Sequence, residues 1–315
     1  MAFTLTDNEF FSGLTNLALF MRLYATNNSS EPNSFVESFM TDTLTTGNKK
    51  IFPYSTLPSV GNYSETSSLL TVSKVTTGEE VIGISGKKVI KSSYSTYILD
   101  QAFTSESGMN NFIGYVLGQM ESAKIDFLYD VIINDLFTKV ISDTQLVDVG
   151  QYDPTTATTF TELNNCNLIN SKNIVKELQL VINNISVFND EYNALGNKQA
   201  LDLGDMRLII NEPYKTQQVV DLFASLLNSE YINSNFKKPT MLTIPSIKVP
   251  INSDDVIGWL MHKNAYQMFY KFSFMGSFFD TSNLVINNFL HFWYGKGWLS
   301  NLPVVKFQTD TLTLA

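Results

Sequence analysis

The longest regular pattern of hydrophobic positions in the chain has helical spacing and covers residues 109–141. Proline is absent from this stretch and no glycine follows Gly118, so nothing interrupts a helix. Ser105 or Ser107 is available as an N-cap. The pattern predicts one helix roughly 50 Å long laid across a sheet, because the spacing does not keep the heptad of a coiled coil. Its apolar stripe comprises Met109, Phe112, Ile113, Val116, Leu117, Met120, Phe127, Leu128, Val131, Ile132 and Leu136.

Two β-rich segments, residues 69–75 and 88–99, flank a glycine-containing stretch at residues 76–87. Together they predict a long hairpin with a mobile, charged tip. A phosphate-binding loop is excluded, because Val81 stands where its first glycine belongs and Lys88 where Ser or Thr is required. An isolated two-stranded hairpin is barely stable in water, so this one is expected to lie on a neighbouring subunit. The candidate interface residues are Gly78, Glu79, Glu80, Gly83, Lys87, Lys88 and Lys91.

The N-terminal region predicts a short helix followed by an arm. Residues 7–26 have hydrophobic side chains at helical spacing, with Thr6 or Asp7 available as the N-cap. Residues 27–68 are rich in Asn, Ser and Thr and contain three prolines. Such a composition cannot build a core of its own, so it predicts an extended arm lying over another surface.

The second half of the chain mixes helical and strand patterns after a polar, Thr-rich segment at residues 147–167. The loose alternation favours the α+β class over a doubly wound sheet. Helices are predicted from the Ser171 cap to residue 185, over residues 212–227 with Pro213 near the start, and over residues 264–274. Strands are predicted over residues 206–210, 241–247, 256–261 and 284–294.

Composition changes this picture mainly through charge. The chain has 315 residues, is 44% hydrophobic and carries a formal net charge of −9, so it is a folded protein unsuited to gripping nucleic acid through phosphates. Only 16% of its residues are charged, whereas about a quarter is usual, which suggests that other copies cover much of its surface. No signal peptide and no apolar run of ~20 residues are found, so neither export nor a membrane partner is expected.

Candidate catalytic and metal-binding residues are few. His262 and His291 are the only histidines, and neither has the spacing of a zinc site. Cys166 is the single cysteine and is expected to be structural. A carboxylate pair beside an aromatic sugar platform would suit a glycosidase, although the acidic residues fall in predicted turns. Neither a catalytic residue nor a cofactor or metal site is predicted. The carboxylates considered are Asp202, Asp205, Asp254 and Asp255.

Aromatic residues are concentrated between residues 258 and 307, which include all 3 Trp. Aromatic side chains at this density bury large areas, so the segment is interpreted as structural core. The central members of the predicted core block are Trp259, Tyr266, Tyr270, Phe289, His291 and Trp293.

Two motifs in this segment resemble the C-terminal part of the major capsid proteins of small short-tailed bacteriophages. In that family a motif of Asn, an aromatic residue and Gln leads to Tyr-Lys, and a later motif reads Phe-Leu-His, an aromatic residue and Trp. The first motif matches Asn264, Tyr266, Gln267, Tyr270 and Lys271, and the second matches Asn288, Phe289, Leu290, His291, Phe292 and Trp293. The resemblance implies the Johnson fold of tailed-phage capsids (the Hong Kong ninety-seven type).

The resemblance also implies a domain plan and a function. Residues 1–68 would be the N-terminal helix and arm, 69–104 the extended loop, 105–150 and 275–315 the peripheral domain with its spine helix, and 151–274 the axial domain. The protein would self-assemble as hexamers and pentamers into an icosahedral shell around double-stranded DNA, without sequence-specific contact. A separate scaffold protein, a portal and assembly in the host bacterial cytoplasm are implied as well. The alternatives are a tail or collar component and, less favoured, a carbohydrate-active protein.

Overall fold

A computed structural model of the chain describes residues 31–44, 46–58, 75–97, 106–153, 159–215, 239–251, 253 and 255–312. The predicted helices at residues 7–26 and, beyond Lys215, at 212–227 lie outside these residues, as do residues 69–74 of the hairpin. The helices are α1 (Glu31–Phe39), α2 (Glu106–Thr138) and α3 (Phe160–Ile185). The strands are β1 (Lys49–Ser55), β2 (Thr77–Ser95), β3 (Leu146–Tyr152), β4 (Met206–Asn211), β5 (Thr240–Ile244), β6 (Val256–His262), β7 (Tyr266–Asp280), β8 (Val285–Trp298) and β9 (Val304–Leu312).

The long helix is confirmed as α2, an unbroken helix of 33 residues. It ends at Thr138, whose hydroxyl donates to the carbonyl of Asn134 at 2.7 Å. One side of the helix is buried, as the apolar stripe predicts. The side chains on that side, each 3% exposed or less, include Leu117, Met120, Leu128, Ile132 and Leu136.

The chain divides into two compact units, each built from three segments. Unit 1 contains Met1–Lys50, Ile82–Ile132 and Gln267–Gly297. Unit 2 contains Ile51–Val81, Ile133–Tyr266 and Trp298–Ala315. These ranges differ from the predicted domain ranges, and the assignment of peripheral and axial roles stays a prediction.

Unit 2 is built on a mixed five-stranded sheet in the order β3-β9-β6-β4-β5. The outer pairs β3-β9 and β4-β5 are parallel, whereas β6 runs antiparallel to both of its neighbours. All seven residues of β6 are buried, as expected for the central strand. At Gly258 a Cβ atom would lie 2.2 Å from the carbonyl oxygen of Ile209, so only glycine allows the two strands to approach this closely. The strands predicted at 206–210 and 256–261 are confirmed as β4 and β6. The strand predicted at 241–247 is confirmed only as far as Ile244, where β5 ends before a 3-10 turn at Ser246–Lys248.

Two helix predictions for this region are wrong, and one segment without a predicted element contains regular structure. The polar segment at residues 147–167, for which no element was predicted, contains most of strand β3 and the first turns of α3. Helix α3 begins at Phe160 rather than after Ser171, because Thr159 and Glu162 form a reciprocal capping box. Residues 212–215, the described part of the helix predicted at 212–227, form a 3-10 turn.

Unit 1 contains the inner strands of a four-stranded sheet in the order β1-β2-β8-β7. The predicted hairpin tip at residues 76–87 is wrong, because residues 77–95 form one continuous strand of 19 residues. This strand pairs antiparallel with β8, and Lys87 lies opposite Trp293. The glycines of this segment were interpreted as turn residues, but Gly86 lies within the strand and leaves space for the aromatic ring of Tyr294. A Cβ atom there would lie 2.8 Å from the ring of Tyr294.

The helix predicted at residues 264–274 is also wrong, because this segment is the start of strand β7. Its aromatic residues fit both a helical and an alternating pattern, and pairing with β8 decides in favour of the strand. The strand predicted at 284–294 is confirmed as β8.

The predicted extended arm is partly wrong, because residues 31–39 form helix α1 and residues 49–55 form strand β1. Phe35 of α1 packs edge-on against Tyr129 of α2, with ring centroids 4.9 Å apart. An extended segment follows α1 and covers part of the β7 edge. The N–H of Thr41 donates to the carbonyl of Met268 at 2.8 Å, and that of Leu44 to the carbonyl of Tyr270 at 2.9 Å.

Candidate assembly surface

The two faces of the β2-β8-β7 sheet in unit 1 differ in exposure. The inner face carries buried side chains of β8, among them Leu290 and Phe292, both 1% exposed. Phe127 of α2 packs edge-on against Phe292 at 6.0 Å, so this face lies on the long helix. Successive residues of a strand alternate between faces, which assigns the remaining positions to the opposite side, here called the outer face. The outer face comprises Lys87, Val89, Lys91 and Ser93 of β2, Asn287, Phe289, His291 and Trp293 of β8, and Phe272, Phe274 and Phe278 of β7.

The outer face exposes a large aromatic area. Phe274 is 56% exposed and Phe278 is 62% exposed, whereas core residues of the same sheet are almost fully buried. Phe272 stacks on Phe274 with ring centroids 6.2 Å apart and also contacts Trp293 at 5.4 Å. A contiguous exposed aromatic surface of this kind is typical of an interaction site.

Two lysines lie on the outer face, each over the ring directly opposite on β8. The Lys87 ammonium lies 4.2 Å from the centre of the Trp293 ring, and that of Lys91 lies 5.8 Å from the centre of Phe289. Lys88 points to the inner face, where its ammonium lies 5.2 Å from the ring of Phe127. The lysines predicted at a hairpin tip are therefore strand residues held against aromatic rings.

The other candidate interface residues have different positions. Glu80 belongs to unit 2, where its carboxylate accepts hydrogen bonds from the N–H groups of Ser300 at 2.6 Å and Asn301 at 3.2 Å. Gly78 and Glu79 border an open depression next to Tyr54. Gly83 is a strand residue in unit 1. The seven candidates thus do not form one loop tip, and their contact with another subunit stays a prediction.

The predicted aromatic core block divides between core and surface. Trp259 is fully buried in unit 2 and packs edge-on against Phe137 at 4.7 Å. The Tyr266 hydroxyl donates to Asp135 at 2.7 Å, and the ring lies 4.8 Å from Trp298. Phe289, His291 and Trp293, by contrast, lie on the outer face, and His291 is exposed. The interpretation of these three residues as core is wrong, because alternation along β8 points them away from α2.

Tyr270, the remaining member of the block, lies in unit 1. Its pKa is raised above the ordinary value because the ring is buried, and the nearby Glu121 and Glu37 carboxylates raise it further. The Lys124 ammonium lies 5.3 Å from the centre of the ring.

His262 and two of the candidate carboxylates take part in local hydrogen bonds and an ion pair. His262 accepts a hydrogen bond at Nδ1 from the N–H of Asn264 at 3.1 Å. Burial lowers the pKa of His262 to about 4, although Asp205 acts in the opposite direction. Asp205 itself binds the Lys263 ammonium at 2.6 Å, and Asp202 caps a 3-10 turn through the N–H of Gly204. The contacts of His262, Asp202 and Asp205 are thus with residues of nearby turns.

Asp255 is exposed, and its backbone carbonyl accepts a hydrogen bond from the Thr309 N–H at 2.7 Å. Asp254 lies outside the described residues, and Cys166 is buried. Among the residues that the structure describes, no three His, Cys, Asp or Glu side chains are grouped so that they could hold a metal ion. In the same part of the chain, no helix is both long and apolar enough to cross a membrane.

Three solved phage capsid structures are similar to this fold. The chain is similar to a protein in the capsid structure of Staphylococcus phage Andhra, with a TM-score of 0.62, 8% identity and coverage of 86% of this chain and 83% of that one. The chain is also similar to a protein in the capsid structure of Cyanophage P-SCSP1u, with a TM-score of 0.57, 15% identity and coverage of 88% of both chains. For a protein in the mature capsid of bacteriophage PhiM1 the TM-score is 0.52 and the identity 8%, with coverage of 87% of this chain and 85% of that one. At these identities the likeness establishes the fold, which is that of tailed-phage capsid proteins.

Sequence comparison supplies the family. No curated protein shows significant sequence similarity to the chain. The family model of the Phi29-like phage major capsid protein matches residues 6–308, nearly the whole length. The chain therefore belongs to the Phi29-like phage major capsid protein family, whose members have a structural role in the shell of the virion.

Proposed function

We propose that the protein assembles through hexamers and pentamers of itself into a closed icosahedral shell around the double-stranded DNA of a phage. The family match over residues 6–308 carries this proposal. The exposed aromatic outer face supports it, because such a surface needs a partner to bury it. Assembly takes place in the host bacterial cytoplasm with a separate scaffold protein and a portal. The role is structural and involves no catalysis.

Contact with the packaged DNA is sequence-independent in this proposal. Sequence-specific recognition needs cationic side chains that position the protein on phosphates, together with groups that read base edges. The chain has 21 basic and 30 acidic residues, so its overall field repels DNA rather than attracts it. A container needs no more than to close around the nucleic acid.

Electron microscopy and sedimentation of the protein, co-expressed with its phage's neighbouring structural genes, test this function. Closed shells containing hundreds of copies are expected. Rings of fixed copy number would instead identify a tail or collar component and overturn the proposal. Binding of oligosaccharides by a protein that stays a ~35 kDa monomer would favour the carbohydrate-active alternative.

A further inference from the structure

The outer face of the sheet in unit 1 is apolar, cationic and accessible at the same time. Its aromatic members Phe272, Phe274 and Phe278 are 42%, 56% and 62% exposed, and Val89 is 42% exposed. Burying such side chains is favourable, so leaving them in water is costly. We propose that this face docks on a second copy of the chain, with its two lysines paired to carboxylates of that copy. This inference rests on the proposed function and names a surface that performs it.

Charge favours a second copy as the occupant. The outward positions of β2, β8 and β7 include Lys87 and Lys91 and carry no carboxylate from Lys87 to Ser93, from Asn287 to Trp293 or at the three phenylalanines. The chain as a whole has 30 acidic and 21 basic residues. A locally cationic face on an acidic protein is complementary to most of the surface that another copy presents, and such complementarity sets orientation and partner choice.

The apolar character argues against DNA as the occupant. A duplex presents mainly phosphates, so binding it takes several cations and gains little from exposed aromatic area. The outer face has the opposite balance, with aromatic rings at its centre and only two lysines. Protein interfaces have this composition, enriched in aromatic residues and depleted of charge at the centre.

The face is also preorganised for docking. Lys87 and Lys91 are already held over Trp293 and Phe289, so these long side chains lose little rotamer freedom on binding. Ser93 donates to Asn287 across the strand pair, and β2 and β8 pair continuously from Gly86 to Ser95. A rigid sheet presenting stacked rings binds at a lower entropic cost than a mobile hairpin tip does.

Photo-crosslinking tests the contact directly. The photoreactive analogue p-benzoylphenylalanine replaces Phe278 in the full chain, and assembled particles are irradiated. The expected product is a covalent dimer of the chain, and the same variant in dissociated form should give at least tenfold less dimer. A nuclease-sensitive adduct with DNA, or particles that yield no dimer, would overturn the proposal.

Charge reversal tests the lysines with a matched control. The double variant Lys87→Glu with Lys91→Glu should raise the protein concentration needed for assembly by about tenfold or more, the range of an interface hot spot. The control, Lys172→Glu with Lys198→Glu, changes the net charge equally at exposed sites of unit 2 and should have less than a twofold effect. Both variants should keep the circular dichroism and melting temperature of the parent. An equal effect of the two pairs, or normal assembly of the Lys87 and Lys91 variant, contradicts the proposal.

The two proposals fail in different ways. If the parent protein forms fixed rings but the position 278 analogue still gives dimers, the icosahedral function is wrong and the docking face is right. If the parent forms closed shells and neither experiment responds, the function stands and the outer face is not an interface.

Discussion

Asn170 of α3 pairs with the backbone of Tyr152 through both atoms of its side-chain amide, as a neighbouring strand would. Its Oδ1 accepts from the Tyr152 N–H at 2.8 Å, and its Nδ2 donates to the Tyr152 carbonyl at 2.8 Å. Asn173, one turn further along α3, makes one similar bond by donating from its side-chain amide to the carbonyl of Gly150 at 2.7 Å. β3 is an edge strand, and these amides occupy backbone groups that would otherwise be open to another chain.

Asn170→Ala should lower the free energy of unfolding by about 2 kcal/mol, since two hydrogen bonds of about 1 kcal/mol each are lost. It should also increase aggregation, because the β3 edge becomes available for pairing. Chemical denaturation and light scattering measure the two effects. Asn183→Ala, at an exposed position of the same helix, is the control. Equal stability and aggregation of the two variants would show that the bonds of Asn170 to Tyr152 do not stabilise or protect the β3 edge.

Val131→Pro should prevent soluble folding. Val131 lies seven residues before the end of α2 at Thr138, where proline removes a backbone hydrogen bond and clashes with the preceding turn. The cost is roughly 3 kcal/mol or more. Val131→Ala, which keeps the helical backbone, should stay soluble and cost much less. Normal yield and circular dichroism of the proline variant would mean that the helix ends before Val131.

Glu80 and Glu79 should differ in their effect on stability although they are neighbours. Glu80→Ala leaves the N–H groups of Ser300 and Asn301 without their carboxylate and should cost roughly 2 kcal/mol. Glu79→Ala, at an exposed position, should stay within about 0.5 kcal/mol of the parent. Thermal melting of the two variants measures the difference. If both residues were exposed charges at a hairpin tip, as the sequence predicted, the Glu79→Ala and Glu80→Ala variants would be equally stable.

His262 should make the fold less stable as the pH falls from about 6.5 towards 4. Its pKa in the folded protein, about 4, lies below the ordinary 6.5, so the unfolded chain takes up the proton first as the pH falls. The stability that the neutral ring contributes above pH 6.5 is therefore lost between pH 6.5 and 4. The loss is at most about 3 kcal/mol. Asp205 favours the protonated ring, whereas Lys263 and Arg207 oppose it.

Chemical denaturation at pH 7 and pH 4.5 measures this contribution as a difference between parent and variant. His262→Asn keeps an acceptor near Nδ1 but has no titrating ring, so its stability should depend less on pH across this interval. Parallel pH profiles of the two proteins would assign the acid sensitivity to other groups.

Sequence patterns predicted the elements whose periodicity has a single interpretation. The stripe of α2 fits only a helix, and the β-rich run of β4 fits only a buried strand. The aromatic residues of β7 fit two periods, and only pairing with β8, which is distant information, selects the strand. Gly86 was misinterpreted because turn formation and close packing against a ring both require glycine, and the Tyr294 ring is more than two hundred positions away.

The candidate surface was predicted only in part. Lys87 and Lys91 were named from the sequence, but as tip charges rather than as members of a sheet face. Phe274 and Phe278 were expected to be buried with the other aromatic residues, yet they are more than half exposed. The usual rule that the apolar face of a strand points inward fails here, because both faces of β7 carry apolar residues.

Strand β7 also limits which changes of length the chain tolerates. Because side chains alternate between faces, a one-residue insertion within β7 would exchange the residues packed on the helix for those of the outer face from that point onward. One insertion would then disrupt both the packing on the helix and the proposed docking face. The turn between Asp280 and Val285 is exposed and is held by short-range bonds from Ser282 and Asn283 to Asp280. Natural variation in length between β7 and β8 should therefore accumulate in this turn, while the strand keeps its residue count even where its sequence diverges.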